Sequence, residues 1–95
     1  MQPQTIEDIR NYFIEHDLFN KYNLTKIGVF GSFARGEKFN DIDLLIEEKI
    51  ERKSIRILKN ELTKNWEIKV DIVPVEFADP IILYNAKKEV RYASK

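Results

Sequence analysis

The sequence contains no cysteine and a single histidine, His16. A chain without thiols forms no disulfide and no thiolate zinc site, and one imidazole cannot build a histidine metal centre. The absence of disulfides is typical of cytosolic proteins, so we expect a cytoplasmic location. No apolar run approaches membrane-spanning length, and the first residues lack the charged-then-apolar pattern of a signal peptide. We therefore expect no membrane segment.

Net charge is absent as well, because 16 basic and 16 acidic residues cancel. Domains that bind long nucleic acids usually carry an excess of positive charge, which neutralises the phosphate backbone. The balance here argues against long nucleic acid as the partner. A single nucleotide held by a loop and a metal ion needs no such excess.

Length and composition predict one globular domain over residues 1–95. Hydrophobic residues make up 43% of the chain and aromatic residues 12%, which is too much apolar surface for a disordered segment. A chain of this size buries about 60–65% of its unfolded surface, so its core must be small.

The spacing of apolar residues predicts helices alternating with strands. Two stripes at helical spacing are expected to face the core, namely Ile6/Ile9/Phe13 and Ile55/Leu58/Leu62. The predicted elements are a helix over 5–17, a strand over 24–30, a short helix over 32–35, a strand over 41–47, a helix over 54–65, a strand over 67–75 and a helix from Asp79 to about Tyr92. Ser94 and Lys95 are expected to fray.

Three aspartates are predicted to share one face of the sheet. Asp41 and Asp43 are two residues apart on a strand, so their side chains point to the same side. The apolar residues that alternate with them point to the core. In the third predicted strand, the alternation of isoleucine and valine places Asp71 opposite the core as well. If the two strands share a sheet, all three carboxylates lie on its open face.

Carboxylates in such a pattern need a compensating charge. The Cα atoms of Asp41 and Asp43 should lie about 6.6 Å apart, given a rise of about 3.3 Å per residue. Without a cation these side chains repel each other, which costs stability. Mg²⁺ prefers oxygen ligands and binds one or two carboxylates together with water and substrate phosphates. The donor set therefore favours Mg²⁺ over zinc and other soft-ligand metals.

The turn after the first strand supplies groups that can hold an anion. Gly31 has no Cβ, so a phosphate can approach its backbone closely. Ser32 offers a hydroxyl and is predicted to cap a short helix that Gly36 ends in a left-handed conformation. The free N–H groups of residues 33–35 and the Arg35 guanidinium would add hydrogen bonds and positive charge.

Each of these signals is weak when taken alone. Gly-Ser after a strand usually means a capped turn, and Asp-x-Asp at the start of a strand is usually a solvated edge. Asp71 by itself is more often a surface residue. Arg35 is as able to pair with Glu37 or an aspartate as with a phosphate. Their combination around one end of a sheet is what favours nucleotide chemistry.

The segment GSFARG at 31–36, followed by NDIDL at 40–44, resembles the signature of minimal nucleotidyltransferases of the DNA polymerase β superfamily. The third acid of that signature matches Asp71 in the segment VDIV. Asn40 stands where the family usually has a hydroxyl residue before the first aspartate. The order of predicted elements matches the family along nearly the whole chain.

The resemblance implies an α/β domain with a small mixed β-sheet and helices packed on one face. It implies transfer of a nucleoside monophosphate, AMP from ATP, to an acceptor hydroxyl with release of pyrophosphate. Asp41, Asp43 and Asp71 would be the catalytic residues and would bind two Mg²⁺ ions, and Asp71 would also help to deprotonate the attacking hydroxyl. The predicted nucleotide-binding residues are Gly31, Ser32 and Arg35.

The resemblance also implies a partner. Many minimal nucleotidyltransferases are encoded beside a helical HEPN-family toxin, and family members can adenylylate a toxin tyrosine and silence its RNase activity. An antitoxin that modifies its partner is therefore the leading hypothesis. Two alternatives stay open: a module with an inactive site that neutralises a partner by contact, and a transferase acting on a small molecule such as an aminoglycoside. Enzymes of the latter kind usually carry an extra helical domain.

Overall fold

The computed structural model describes residues 2–95, which form five helices, one 3₁₀ turn and four strands. None of these helices combines the length with the apolar character that a bilayer crossing requires. In chain order the elements are α1 (Ile6–Glu15), α2 (Leu18–Lys21), β1 (Lys26–Phe30), α3 (Gly31–Ala34), β2 (Asp41–Ile46), α4 (Arg52–Trp66), β3 (Lys69–Pro74), the 3₁₀ turn (Val75–Phe77), α5 (Pro80–Glu89) and β4 (Arg91–Ser94).

The four strands form one mixed sheet in the order β3-β2-β1-β4. Strand β1 runs antiparallel to both β2 and β4, whereas β2 and β3 are parallel. Parallel strands cannot be joined by a tight turn, and α4 provides the crossover between them. The predicted α/β fold with a small mixed sheet is confirmed.

Helix α1 begins with a capping box. The Thr5 hydroxyl accepts a hydrogen bond from the Asp8 N–H at 3.1 Å, and the Asp8 carboxylate accepts one from the Thr5 N–H at 3.1 Å. These two bonds satisfy backbone donors that a helix start otherwise leaves unpaired. Ile9 and Phe13 of the same helix are fully buried, so the predicted stripe does face the core.

The main core fills the space between the sheet and the helices α1, α2 and α4. Leu58 and Leu62 of α4 are fully buried, as the helical spacing predicts, and Trp66 closes the end of that helix. The largest fully buried side chains in this cluster include Trp66, Phe13, Ile9, Leu18, Leu24, Ile27, Ile42, Leu44 and Ile46.

The end of α5 covers a small part of the opposite face of the sheet. Leu45 and Ala86 are buried but do not belong to the main core cluster. A Cβ built on Gly28 would lie 2.8 Å from Val90 Cγ2 and 3.1 Å from Leu45 Cβ. Glycine at position 28 therefore allows the end of α5 to pack directly on this face.

The C-terminal segment differs from the prediction. Helix α5 ends at Glu89 instead of near Tyr92, and Arg91–Ser94 forms strand β4 against β1. Only Ala93 of this strand is buried, so the segment has no apolar alternation that would reveal a strand. Pairing with the edge of the sheet determines its conformation.

Two further segments that were expected to be irregular are ordered. Residues 18–23, predicted to be a connection, contain the one-turn helix α2, because Leu18 and Phe19 are buried in the core. Ser94 and Lys95 were predicted to fray. Ser94 instead pairs with β1, and the Lys95 N–H donates a 2.8 Å hydrogen bond to the residue before β1.

The substitution Leu62→Ala should destabilise the fold by about 2–5 kcal/mol, because it empties a fully buried position. Ile57→Ala is a matched control on the same helix: the side chain is 53% exposed, so the expected loss is below about 1 kcal/mol. Urea unfolding followed by Trp66 fluorescence measures both variants. Equal losses would contradict the assignment of the buried face of α4.

Candidate active site

The aspartates of β2 and β3 lie side by side on the open face of the sheet. Along β2, Ile42 and Leu44 are fully buried, whereas Asp41 and Asp43 remain partly exposed. In the parallel register of β2 and β3, Asp43 pairs with Asp71. Paired residues of adjacent strands project to the same side, so these two carboxylates leave the sheet at the same level.

The three carboxylates converge. One oxygen atom from each of Asp41, Asp43 and Asp71 lies within 4.8 Å of the others. The convergence predicted from strand alternation is therefore confirmed. An oxygen-only donor set of this kind fits a hard divalent cation such as Mg²⁺, while the metal-binding role itself stays a prediction.

Asp43 carries the clearest electrostatic signature of the site. Partial burial raises the pKa of its carboxyl to about 6, and the negative charges of Asp41 and Asp71 push the pKa in the same direction. Two smaller contributions oppose each other: Lys69 lowers this pKa and Glu89 raises it. The Asp43 carboxyl thus holds a proton more firmly than an exposed carboxyl would, and a nearby cation would lower its pKa.

Two lysines supply the nearest positive charge. The ammonium groups of Lys59 and Lys69 lie 3.9 Å and 3.7 Å from oxygens of Asp71. Lys59 belongs to α4 and Lys69 begins β3, the edge strand, so both reach Asp71 from the rim of the sheet. These ion pairs are exposed and long, so each contributes little to stability.

Gly31 is in direct contact with this carboxylate cluster. Its φ angle is +76°, a conformation that side chains other than glycine rarely adopt. A Cβ at this position would overlap the Asp43 carboxylate, with its Cγ only 3.3 Å away. Both the backbone angle and the close approach therefore require glycine where the turn after β1 meets the aspartates.

The short helix after this turn starts one residue earlier than predicted. Gly31 is the first residue of α3 and Phe30 is its N-cap, so Ser32 lies inside the helix and the prediction that Ser32 acts as the cap is wrong. The positive φ of Gly31 lets the chain enter the helix directly from β1. Gly36, with φ +73°, follows α3 in the left-handed conformation that the sequence predicts.

The Arg35 backbone is not available to an anion. Its N–H donates to the Gly31 carbonyl at 3.1 Å, contrary to the expectation that this group is free. The Arg35 guanidinium pairs with Glu37 at 3.1 Å and with Glu89 at 2.7 Å. The pairing with Glu37 was one of the alternatives left open by the sequence.

Glu89 is the residue of this region that the sequence analysis missed. Besides Arg35, its carboxylate accepts a 3.1 Å hydrogen bond from the Gly31 N–H. The hydrogen bond from Arg35 lowers the pKa of Glu89, so the carboxyl is ionised near neutral pH. In the structure Glu89 is the last residue of α5, where the helix dipole disfavours negative charge, but the sequence predicted this helix to continue to about Tyr92 and so gave no such signal.

Fold and site together define the class of protein. A mixed sheet carries three convergent carboxylates beside a glycine turn, in the order of elements that the resemblance implies. The family model described as "Polymerase beta, Nucleotidyltransferase" matches residues 7–92. The chain belongs to this nucleotidyltransferase family, and the predicted membership is confirmed.

Two relatives come from Methanocaldococcus jannaschii and carry the provisional name protein adenylyltransferase. MJ0126 is 37% identical over 76 residues, which are 74% of this chain and 78% of the relative. MJ1217 is 36% identical over 76 residues, with the same coverage of both chains. Both relatives extend the similarity well beyond the glycine and aspartate motifs.

Chains from toxin–antitoxin complexes share the fold. A mutant MntA–HpeT complex contains a chain with a TM-score of 0.69 and 23% identity, covering 86% of this chain and 68% of that one. A chain of a toxin–antitoxin structure with AMP-PNP has a TM-score of 0.69 and 22% identity, covering 88% of this chain and 71% of that one. A chain of the complex of tri-AMPylated Shewanella oneidensis HEPN toxin with MNT antitoxin has a TM-score of 0.63 and 19% identity, covering 94% of this chain and 71% of that one. At these identities the likeness establishes the fold.

Asp43 should make metal-free stability depend on pH. Its pKa is about 6 in the folded chain against an ordinary value of 3.8, so the folded state binds the proton more tightly. The stabilisation is present at low pH and is lost as pH rises through about 6. Asp43→Asn should therefore exceed the wild type by about 1–2 kcal/mol at about pH 7.5 in EDTA, and by less at about pH 5.

Urea unfolding at the two pH values measures this difference in the free energy of unfolding. The other titrating groups are the same in both proteins, so their contributions cancel in the comparison. The expected gain is smaller than the full conversion of the pKa shift because the carboxyl is only partly buried. Identical pH dependence of the two proteins would contradict the electrostatic account of the site.

Gly31→Ala should destabilise the fold more than Gly36→Ala does. Both glycines have similar positive φ angles, so alanine meets about the same backbone strain of 1–2 kcal/mol at either position. Only at Gly31 does the added Cβ overlap Asp43; at Gly36 nothing lies within 4 Å. The excess loss should be about 1–3 kcal/mol in urea unfolding and should shrink in an Asp43→Ala background. An equal loss at the two positions would show that the contact is unimportant.

Proposed function

We propose that this domain is a cytoplasmic, Mg²⁺-dependent nucleotidyltransferase that transfers AMP from ATP to a tyrosine hydroxyl of a partner HEPN toxin and so acts as an antitoxin. The observation that carries the proposal is the convergence of the Asp41, Asp43 and Asp71 oxygens within 4.8 Å, directly against the Gly31 turn. Membership of the nucleotidyltransferase family supports this reading of the carboxylates.

Asp41, Asp43 and Asp71 would hold two Mg²⁺ ions. When bound, the ions would neutralise the triphosphate and stabilise charge on the reacting oxygens. Two features of the chain support this role. The donor atoms are all carboxylate oxygens, and partial burial together with the charges of Asp41 and Asp71 raises the pKa of Asp43, an effect that a divalent cation would offset.

The transfer forms one bond and breaks one. The acceptor hydroxyl oxygen attacks the α-phosphorus of ATP, a phosphodiester forms, and the bond from the α-phosphorus to the pyrophosphate oxygen breaks. Asp71 would take up the hydroxyl proton, since it belongs to the edge strand, where an acceptor can approach from solvent. The Gly31 N–H, the Ser32 hydroxyl and the Arg35 guanidinium would hold the phosphates.

A protein acceptor is supported by the relatives and by the open site. MJ0126 and MJ1217 are named for protein adenylyltransferase activity, and chains of this fold occur in toxin–antitoxin complexes, one with AMP-PNP and one with an AMPylated HEPN toxin. In this chain the three aspartates are partly exposed on one face of the sheet, so a bound partner can present a side chain to them.

Labelled ATP, Mg²⁺ and a cognate HEPN toxin provide the direct test. The wild type should label the toxin, and EDTA should abolish the labelling. Asp43→Asn should lower the rate by more than about 100-fold, because a metal-binding carboxylate contributes several kcal/mol to the transition state.

Asp17→Asn is the matched control for this experiment. It makes the same chemical change in the connection between α1 and α2, where φ is +56° and asparagine is well tolerated. Its rate should equal that of the wild type. Undetectable labelling by the wild type, or equal labelling by the Asp43 and Asp17 variants, would overturn the proposal.

One observation favours a second function, a catalytically silent module that neutralises its partner by contact. Two of the groups assigned to phosphate binding, the Gly31 N–H and the Arg35 guanidinium, are already bonded to Glu89. The Asp41→Asn/Asp43→Asn/Asp71→Asn triple variant separates the two functions. It should lose neutralisation of the toxin if modification is required, and should retain it if contact suffices.

A further inference from the structure

Glu89 binds the same groups that the proposed function assigns to the triphosphate. One carboxylate oxygen accepts the Gly31 N–H at 3.1 Å, and the other accepts the Arg35 guanidinium at 2.7 Å. The two donors belong to residues at opposite ends of the short helix α3, and a single anion accepts a hydrogen bond from both. The Glu89 carboxylate is therefore an anion held by the same donors that are proposed to hold a phosphate group.

A phosphate and Glu89 cannot use these donors together. The Gly31 N–H is one donor with one hydrogen, so it makes one good hydrogen bond at a time. Two anions at this position would also repel each other, and the raised pKa of Asp43 already includes a contribution from the charge of Glu89. Binding of a triphosphate at Gly31 therefore requires the carboxylate of Glu89 to leave.

The fold allows that movement. Glu89 is the last residue of α5, and its side chain is about one-third exposed. Ala86 is the only buried residue of α5, whereas Ile81, Ile82 and Tyr84 are more than half exposed. The end of α5 is packed on the sheet next to Gly28, but the partly exposed Glu89 side chain can itself rotate into solvent and release both donors.

We propose that Glu89 is an internal anion that occupies the phosphate site of the free chain, so that a nucleoside triphosphate must displace it in order to bind. This inference rests on the proposed function and adds a regulatory element to it. Removal of Glu89 should make the phosphate site available without competition.

The competing interpretation is that Glu89 only orients Arg35 for phosphate binding. The two interpretations predict opposite signs. If Glu89 positions the guanidinium, its removal weakens nucleotide binding. If Glu89 competes with phosphate, its removal strengthens binding.

Calorimetric titration with Mg²⁺ and a non-hydrolysable ATP analogue measures that sign. Glu89→Gln removes the charge, and Glu89→Ala removes the hydrogen bonds as well. Both variants should bind the analogue about 10-fold more tightly than the wild type, and Glu89→Ala should show the larger gain. Tripolyphosphate without a base should show the same order of affinities, because the contact concerns only phosphate.

Glu37→Gln is the matched control. It removes an equal charge that pairs with the same guanidinium, at 3.1 Å, but no hydrogen bond joins this carboxylate to the Gly31 N–H. Its affinity should stay within about twofold of the wild type. A similar gain in the Glu37 and Glu89 variants would show that only net charge matters, and would overturn the proposal.

The remaining outcomes distinguish this inference from the proposed function. Unchanged or weaker binding by both Glu89 variants, with measurable binding by the wild type, removes the internal anion and leaves the nucleotidyltransferase intact. Tighter binding by the variants without transfer to any toxin supports the internal anion and counts against the enzyme. Absence of binding by every protein overturns both. Thermal unfolding confirms that each variant is folded.

Discussion

Asp41, Asp43 and Asp71 crowd one partly buried place on the sheet, and their mutual repulsion governs the electrostatics of the site. Alternation along β2 puts two of the carboxylates on one face, and the parallel register with β3 adds the third at the same level. Partial burial, with the negative charges of Asp41 and Asp71 adding to its effect, raises the pKa of Asp43 to about 6, so the ionised Asp43 carboxylate costs the apo fold stability. A bound cation, as proposed above, would offset that cost.

The free chain balances both halves of the site with its own side chains. Lys59 and Lys69 lie near the acidic half, and Glu89 lies on the basic half formed by Gly31 and Arg35. In the proposed complex, metal ions would supply the positive charge beside the aspartates, and the triphosphate would supply the negative charge at Gly31 and Arg35. The protein's own side chains therefore offset part of the charge in each half of the site, while the pKa of Asp43 stays raised.

Local pattern was sufficient to predict most of the framework. Period-two alternation identified the open face of β2 and β3, and helical spacing identified the buried sides of α1 and α4, because each depends on neighbours within a few residues. The features that escaped prediction depend on distant pairing. Strand β4 forms only against β1, and Glu89 meets Gly31 across 58 positions of the chain. Helix α3 starts at Gly31 instead of at Ser32, and the N–H of Gly31 is bonded to the distant Glu89 carboxylate.

If Asp41, Asp43 and Asp71 bind a cation, the pKa of Asp43 must respond to Mg²⁺. Carboxyl ¹³C shifts followed by NMR across the acidic range report the pKa of this group with and without Mg²⁺. Without metal the pKa should be about 6, and saturating Mg²⁺ should lower it below the ordinary value of 3.8. An Asp43 pKa that is the same in the presence and absence of Mg²⁺ would contradict the account.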